Sequence, residues 1–492
     1  MRLALAIGLA LLTGCNPHQL REEPFPDVPI PEAFARQAPF AETSSPTPSQ
    51  PWWEAFGEPQ LNETVEQALT ANLDLQQAWN RLRQVIAQAR AAGSGRYPEI
   101  TATAGASLTR TVDRDQSVPG LRSEQNDDRY FVGGSLSYEI DIWRRVASQR
   151  GAAESQVQAS REDLEATALL LSGTATELWF TILEQSNLER LVASQVATGE
   201  QFLELTELRF SIGEGSAVDV LQQRQQVAQT TSELPVVRSN LEVAENTLAV
   251  LLGLPPGTAI PTPAVQAGLP DLPPFPQLLT PEELFASRPD LQAEMRRLEA
   301  ADLEIAVAVA ERLPRLGISL SYEFSGDSLS RIFEREMGTL LGNIVTPLLD
   351  GGRRKAEVER RRAIVEEQLD RLGQAFLDAL LEVENALVRE RYQRDLLERL
   401  EQEAELSRQN LDESRSRYAN ALTDYLSVLV ALQTLQGLER RLIAEKTRLL
   451  LIRGDLYRAL GGKGWTSQLE PPASEQSPTD AARATPSEES SS

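Results

Sequence analysis

Few residues in this sequence have the side chains that catalysis or metal binding commonly uses. The 492-residue chain contains one Cys, one His and three Met. A single Cys excludes an intramolecular disulfide and a Cys-rich metal site, and so little His and Met argues against histidine catalysis and thioether binding of copper or silver. The motifs HExxH, GxSxG and Walker A do not occur. We therefore predict no catalytic residue, no metal site and no cofactor.

The one Cys follows an apolar segment at the start of the chain. Residues 3–12 are apolar and Leu12-Thr13-Gly14 precede Cys15. Ten residues are too few to cross a membrane, so we predict that residues 1–14 are a cleaved signal peptide. Small residues before the Cys resemble the lipobox of bacterial lipoproteins, which predicts a covalent lipid on Cys15 and an outer-membrane location. An ordinary signal with a chance Cys is the alternative. His18, beside this site, is interpreted as a solvated tether residue.

Charge and hydropathy exclude other classes of protein. The net charge of −24 argues against a surface that tracks phosphates, so we predict no nucleic acid partner. Apolar residues make up 41% of the chain, and past residue 14 no apolar run approaches the ~20 residues that a membrane-spanning helix requires. A helical membrane bundle is therefore not expected.

Proline marks the boundaries of the predicted segments. We predict a lipidated Pro-rich tether at 15–51, a Pro-rich linker at 254–281 and a disordered acidic tail at 466–492. The proline-free stretches 141–234 and 348–470 suit long helices.

An apolar pattern with alternating spacings of four and three residues runs through both proline-free stretches. Adding 208 to each position of the first copy gives the second, again apolar: Leu164, Ala168, Leu171, Ala175 and Leu178 become Leu372, Phe376, Ala379, Val383 and Ala386. This heptad seam predicts coiled coils, and 353–405 alone would extend about 80 Å. We interpret 52–253 and 282–465 as two structural repeats, with long helices at 143–253 and 350–460.

Each repeat also contains two strand-like segments, at about 99–112 and 130–141 and at about 315–325 and 337–348. One face of each is apolar and the other small and polar, as in a transmembrane β-barrel, although half-buried soluble strands show the same alternation. Four strands cannot close a barrel, so two or three copies must share one if it exists. The polar loops 110–129 and 325–336 are expected outside.

Asp141 and Asp350 each lie between a strand and a long helix, where a carboxylate can cap free N–H groups. Arg144-Arg145 and Arg353-Arg354 follow, and either bind carboxylates of neighbouring helices or are solvated.

Eight short motifs in order resemble those of the TolC-like outer-membrane efflux proteins, specifically the NodT-like lipoprotein branch. The resemblance covers Trp52 to about Trp465. Its motifs are Trp52-Trp53 with Phe56, 68–75 (ALTANLDL), 138–143 (YEIDIW), 209–221 (RFSIGEGSAVDVL), 288–291 (RPDL) leading to Leu313-Pro314, 347–353 (PLLDGGR), 417–426 (RYANALTDYL) and 459–462 (ALGG).

The resemblance implies a mainly helical fold in a homotrimer. Four strands from each copy would form one twelve-stranded barrel, and coiled-coil helices would continue it as a tunnel across the periplasm. It implies an efflux duct without enzymatic activity, which docks with a periplasmic adaptor and an inner-membrane pump of the RND type.

The resemblance also assigns roles to the two helical turns. Adaptor contact is carried over to Ile212, Gly213, Asn420, Ala421, Leu422 and Thr423. Gate candidates are Leu426, Asp219 and Asp424. Ser427 stands where members often have an acidic residue, and Ala421 replaces a common Gly. These departures allow a second interpretation of Leu426, in which it is a core leucine of the heptad pattern and not a gate residue.

Two other classes of protein are weighed against the duct. A periplasmic coiled-coil scaffold lipoprotein explains the lipid anchor, the heptads and the acidity, but not the repeated strands. A lipid-anchored surface enzyme is disfavoured because no acid–base or nucleophile constellation appears. For the duct, lumenal carboxylates predict cation-selective conductance.

Overall fold

The computed structural model describes residues 18–19, 29–36, 44–45, 51–114, 122–260, 268–420 and 422–462. Two units are present. The first contains the described residues of Met1–Asp27, Arg81–Arg161 and Ala293–Gly373, and the second those of Val28–Asn80, Glu162–Gln292 and Gln374–Ser492. The signal peptide, Cys15, Ala421, Trp465 and the tail at 466–492 lie outside the described residues.

Helices dominate the described residues, which confirms the prediction of a mainly helical chain. They are α1 Pro59–Ala71, α2 Leu73–Gly93, α3 Arg145–Ser211, α4 Ala217–Leu251, α5 Pro281–Ser287, α6 Pro289–Ala310, α7 Arg353–Ala419 and α8 Tyr425–Ala459. Helices α3 and α7 have 67 residues each, and α4 and α8 have 35 each. The heptad residues Leu164, Ala168, Phe376 and Val383 are buried, so the seam provides the packing that stabilises these helices.

One stretch of α3 is long and apolar enough to cross a membrane by length and composition alone. The sequence had suggested no such run. However, 56% of that 18-residue window is buried within the chain. A buried window of this kind is typical of a core helix, so its apolar residues are explained by packing.

Four strands form an antiparallel sheet in the first unit. They are β2 Glu99–Arg114, β3 Arg122–Ile140, β5 Arg315–Gly326 and β6 Arg335–Val345, in the order β2-β3-β5-β6. The predicted loop 110–129 is wrong over most of its length, because the β2–β3 pairing continues from Thr109 opposite Asp127 to Arg114 opposite Arg122. Backbone pairing does not require apolar side chains, so the polar sequence concealed it.

Aromatic side chains near the start of the second unit form part of its core. Trp52 and Trp53 are buried, in agreement with their interpretation as packing anchors. The Trp52 indole N–H donates to Ser172 Oγ at 3.1 Å. The Trp52 ring stacks on that of Tyr457, and Phe56 packs against Phe180 with centroids 5.0 Å apart.

The Pro-rich linker is attached to the second unit by a buried ion pair. Arg453 on α8 and Glu390 on α7 are both fully buried, and Arg453 Nε donates to Glu390 Oε2 at 3.0 Å. The same guanidinium donates to the carbonyl of Pro273 and lies over the Phe275 ring. The Tyr457 hydroxyl donates to the carbonyl of Pro274 at 2.9 Å.

A short strand continues the linker. It is β4 Phe275–Pro276, which pairs in parallel with β1 Ser44–Ser45. The linker carbonyls therefore find donors on α8, and the linker backbone also pairs with residues preceding the first helices.

His18 is not a solvated tether residue, so that interpretation is wrong. Its Nε2 lies 2.8 Å from Asp302 Oδ1 on α6, and its side chain is 19% exposed. The partner is 284 positions away along the chain, beyond the reach of local sequence patterns.

Candidate functional site

The first helical turn lies at residues 212–216, between α3 and α4. Gly213 has φ 82°, and its N–H donates to the carbonyl of Phe210 at 3.1 Å. Glu214 N–H donates to the carbonyl of Arg209 at 2.9 Å. A left-handed residue that satisfies the last helical carbonyls is how glycine ends helices. The turn leaves Ile212 exposed, so its side chain is available to a partner.

Asp219, one of the gate candidates, caps its own helix. Its Oδ2 accepts from Ser216 N–H at 3.1 Å, and Ser216 Oγ accepts from Val218 N–H at 3.1 Å. The two side chains thus form a capping box at the start of α4. The Asp219 carboxylate has a structural use within one chain.

Replacing Ser216 by Ala is expected to weaken the start of α4 by about 1 kcal/mol, because an N-terminal N–H loses its acceptor. Hydrogen exchange should speed up at the amides of Val218 and Asp219. The control is Ser232→Ala in the same helix, where Ser232 Oγ only donates to the carbonyl of Gln229. Equal exchange rates in the wild type and Ser216→Ala would contradict the capping role.

The second turn joins α7 to α8 and is held mainly by backbone and amide bonds. Asn420 Nδ2 donates to the carbonyl of Ser416 at 2.7 Å, and Leu422 N–H donates to that of Arg417 at 2.9 Å. Thr423 Oγ1 donates to Ser427 Oγ at 3.1 Å. These bonds give a short connection between antiparallel helices.

Leu426 is 52% exposed, so it is not a core leucine of its own chain. Val430, four residues farther along α8, is also exposed and extends the same apolar stripe, and Leu422 in the turn is exposed as well. Asp424 precedes α8, and among the described residues its side chain has no hydrogen-bond or ion-pair partner. The turn therefore places an exposed leucine beside an unpaired carboxylate.

Aromatic residues not selected from the sequence connect the two turns. The Arg209 guanidinium lies 4.5 Å from the centre of the Tyr418 ring, and Tyr418 packs on Tyr425. The buried Tyr425 hydroxyl donates to Gln223 Oε1. Burial raises the pKa of Tyr425, so the hydroxyl stays a donor at neutral pH. In the sequence, Arg209-Phe210 and Arg417-Tyr418 stand at equivalent places in the two turn motifs. This correspondence was the signal that could have pointed to the contact.

Buried glutamines form a polar layer farther from the turns. Gln226 Nε2 donates to Gln436 Oε1 at 3.3 Å, and Gln433 donates to Gln226 Oε1. Gln195 Nε2 donates to the carbonyl of Gln436 at 3.2 Å. Because buried amides must pair, this layer favours one alignment of α3, α4 and α8.

The junctions between strands and long helices are capped by aspartates. Asp141 accepts from the N–H groups of Val146 and Ala147 at 3.1 and 2.8 Å. Asp350 accepts from the N–H groups of Gly352 and Arg354 at 3.1 and 3.3 Å. Desolvation opposes the effect, but these bonds and the Arg354 side chain hold the pKa of Asp350 below its usual value.

The second arginine of each pair binds a carboxylate close to it in sequence. Arg145 donates to both carboxylate oxygens of Glu139 on β3, each at 2.9 Å, and Arg354 binds Asp350. The alternative of carboxylates on neighbouring helices is thus not what these two arginines use.

The two faces of the sheet differ in polarity over β2, β3 and β5, whereas β6 also places the exposed Met337, Leu341 and Val345 on the more polar face. Even-numbered positions carry apolar side chains that are 38–76% exposed: Ile100, Leu108, Ile318, Leu320, Leu340 and Ile344. On the other face, Thr101 Oγ1 and Ser135 Oγ lie 2.7 Å apart across β2 and β3. At the helix end, this face borders an open cavity of about 830 Å³ whose lining includes Glu99, Glu139 and Arg315. An apolar surface of this extent requires a cover other than water.

Among the described residues, no group of three or more His, Cys, Asp or Glu side chains is placed to hold a metal ion.

Comparison with known proteins places this geometry in a family. The family model described as "Outer membrane efflux protein" matches residues 64–254 and 280–462. The pyoverdine export outer membrane protein OpmQ of Pseudomonas aeruginosa is 33% identical over 85% of this chain and 88% of its own. Nodulation protein T of Rhizobium leguminosarum bv. trifolii is 25% identical over 90% of this chain and 94% of its own.

A solved structure of the outer-membrane channel OprN has a TM-score of 0.80 and is 26% identical, covering 89% of this chain and 99% of that one. Both stretches matched by the family model contain a strand pair and two long helices, and together they span most of the described residues. The chain therefore belongs to the outer membrane efflux protein family, in the branch that includes nodulation protein T.

Proposed function

We propose that three copies of this chain share one twelve-stranded barrel, continued by their long helices as a hollow exit duct. As a family member, the chain is an outer-membrane channel component of a tripartite efflux system. It gives small molecules a way out across the periplasm and the outer membrane. The duct itself needs no catalytic group, and we propose that it is not an enzyme.

The observation that carries the proposal is a sheet with two open edges and one exposed apolar face. Strands β2 and β6 end the sheet, and neither has a second strand partner among the described residues. Unpaired backbone groups cannot face lipid, so the edges must pair with strands of other copies. Three copies supply twelve strands, above the smallest closed barrels of about eight.

Equal element lengths support a duplicated architecture. Each half has a strand pair, a helix of 67 residues and a helix of 35 residues. We propose that six such halves surround the duct in the trimer, so that equivalent helices alternate around it.

The turns at 212–216 and 420–424 are the proposed contacts with the rest of the pump. Efflux relatives imply a periplasmic adaptor and an inner-membrane pump, and we propose an RND-type pump. Ile212, Gly213, Asn420, Ala421, Leu422 and Thr423 are the proposed adaptor contacts. Leu426 and Asp424 are the proposed gate ring, because both side chains are free to meet their counterparts in other copies. Asp219 supports this ring by holding the start of α4.

The first cargo to assay is pyoverdine, because a 33% identical relative is named for its export. The described cavities do not identify a cargo, so pyoverdine enters as a test compound.

Replacement of Cys15 by Ala is expected to remove the proposed lipid and leave the protein in the outer membrane as a detergent-dependent trimer. The exposed apolar face of the shared barrel would stay in the hydrocarbon whether or not acyl chains are attached to residue 15. The measurements are membrane fractionation, lipid mass by mass spectrometry, and particle mass in detergent for wild type and variant.

Release of Cys15→Ala as a soluble monomer would mean that no barrel exists. The scaffold lipoprotein would then be the better description. A lipid-free wild type would show instead that Cys15 is a chance residue beside an ordinary signal.

The duct is expected to conduct cations in preference to anions, because the chain carries a net charge of −24 and Asp424 has no partner among the described residues. Reversal potentials in planar bilayers under a salt gradient measure this preference. Asp424→Asn should reduce it, whereas Asp378→Asn, in a helix away from the turns, should not. Anion preference in the wild type would contradict the expectation.

A further inference from the structure

Arg144 has a backbone conformation that its residue type disfavours. It is the one non-glycine among the described residues with positive φ, at 58°. It stands immediately before α3, and Gly352 stands immediately before α7 with φ 85°. A glycine meets the same need without strain in the second half. Glycine at position 144 would avoid this backbone strain. The presence of arginine there therefore indicates that its side chain has a function.

The Arg144 guanidinium is exposed and has no partner within the described part of the chain. The same is true of Arg353, the first residue of α7. Their neighbours Arg145 and Arg354 are held by Glu139 and Asp350. The junctions thus present two free positive charges on a chain with a net charge of −24.

Two arginines farther along α7 share one carboxylate, whereas Arg362 beside them is exposed and has no partner among the described residues. Arg360 and Arg361 both donate to Glu357, and these hydrogen bonds lower the pKa of Glu357 to about 2. Glu357 is therefore ionised and paired over the whole neutral range. Arg144 and Arg353 are the free arginines that stand directly at the two strand-to-helix junctions, three residues after Asp141 and Asp350.

The free arginines lie where the exposed apolar surface ends. Ile140 is the last residue of β3, and Leu348 and Leu349, beyond the end of β6, are 90% and 96% exposed. The Trp143 indole donates to the carbonyl of Pro314 at 2.7 Å, so an aromatic ring also lies at this level. Apolar side chains followed directly by Trp and Arg are typical of the boundary between bilayer and water.

We propose that Arg144 and Arg353 bind the headgroup phosphates of membrane phospholipids at the helix end of the sheet. The apolar face occupies the hydrocarbon, and each guanidinium donates hydrogen bonds to phosphate oxygens at its edge. In a trimer this gives six arginines around the barrel. The site rests on the proposed barrel, since only a membrane-embedded sheet brings lipid to this level.

Arg144→Gly removes the guanidinium without straining the backbone, because glycine tolerates a positive φ, as Gly352 does before α7. In dodecyl maltoside without lipid, this variant should unfold at a temperature no lower than wild type. A lower temperature would mean that the side chain stabilises the protein itself, which overturns the lipid role.

Lipid binding is tested with phosphatidylglycerol added to the detergent-solubilised protein. It should raise the unfolding temperature of wild type, and Arg144→Gly/Arg353→Gln should lose more than half of that shift and retain fewer lipids in native mass spectra. Arg448→Gln, at an exposed arginine of α8, should keep the full shift. An equal shift in all three proteins overturns the proposal.

Two further arms separate the alternatives. Inorganic phosphate should not reproduce the shift; if it does, the site binds soluble anions. A changed reversal potential in Arg144→Gly would place the guanidinium in the water path and also overturn the proposal. Failure of the barrel itself is recognised separately, because wild type would then be soluble without detergent.

Discussion

Replacing Arg453 by Met is expected to lower the free energy of unfolding by about 3–5 kcal/mol, because Glu390 is left as a buried charge with too few partners. The substitution also removes the donor to the Pro273 carbonyl, so the linker loses an attachment. Glu390 keeps only the bond from Arg394 Nη2, at 2.7 Å. Thermal and denaturant unfolding of the detergent-solubilised protein, followed by circular dichroism, measures the loss.

Two controls separate charge burial from lost packing. The double variant Arg453→Met/Glu390→Leu should recover much of the loss, because a buried pair replaced by apolar residues is often neutral or stabilising. Tyr457→Phe removes only the bond to the Pro274 carbonyl and should cost about 1 kcal/mol. A double variant as unstable as Arg453→Met would show that the pair does not act as a unit.

Leu340→Arg is expected to prevent assembly in the membrane, although Leu340 is 74% exposed within one chain. In a soluble protein, a charged side chain at such an exposed position would change the free energy of folding little. On the lipid face of a barrel, arginine near the bilayer centre costs about 2–4 kcal/mol for each chain. Three copies in one barrel would multiply this loss. The measurement is the yield of detergent-stable trimer in the outer-membrane fraction.

The neighbouring residue supplies the matched control. Thr339 lies opposite Ser321, on the polar face, whereas Leu340 lies opposite Leu320. Thr339→Arg adds the same side chain at the same level and should leave assembly nearly unchanged. Equal tolerance of both substitutions would indicate that the sheet faces water on both sides.

Local patterns predicted the elements well where one periodicity covered a whole segment. The four-three spacing predicted long helices, and α3 and α7 are long helices with Leu164 and Phe376 buried. The alternation of apolar and polar residues did not predict the full length of β2 and β3. Near the turn between them, polar residues such as Thr109 and Asp127 pair as well as apolar ones do. The hydrogen bonds of a sheet are made by the backbone, so side-chain polarity does not set where pairing ends.

The candidate site was predicted only in part. Gly213 and Asn420 were recognisable as turn residues, because glycine tolerates positive φ and asparagine bonds to nearby backbone. The Arg209–Tyr418 contact, the glutamine layer and the exposure of Leu426 were not. The heptad pattern indicates that Leu426 lies on an apolar stripe. It does not indicate whether that stripe is covered by the same chain or by another copy.

The sequence by itself determined the helices, the two-faced strands and the family, because these depend on spacing within a few residues or on motifs in order. Only the tertiary structure decided which distant groups meet. Arg453 is 63 positions from Glu390 and 180 from Pro273, and His18 is 284 from Asp302. The physical reason is that a helix or strand pattern specifies which face is apolar, whereas ion-pair partners depend on which faces come together when that apolar surface is buried.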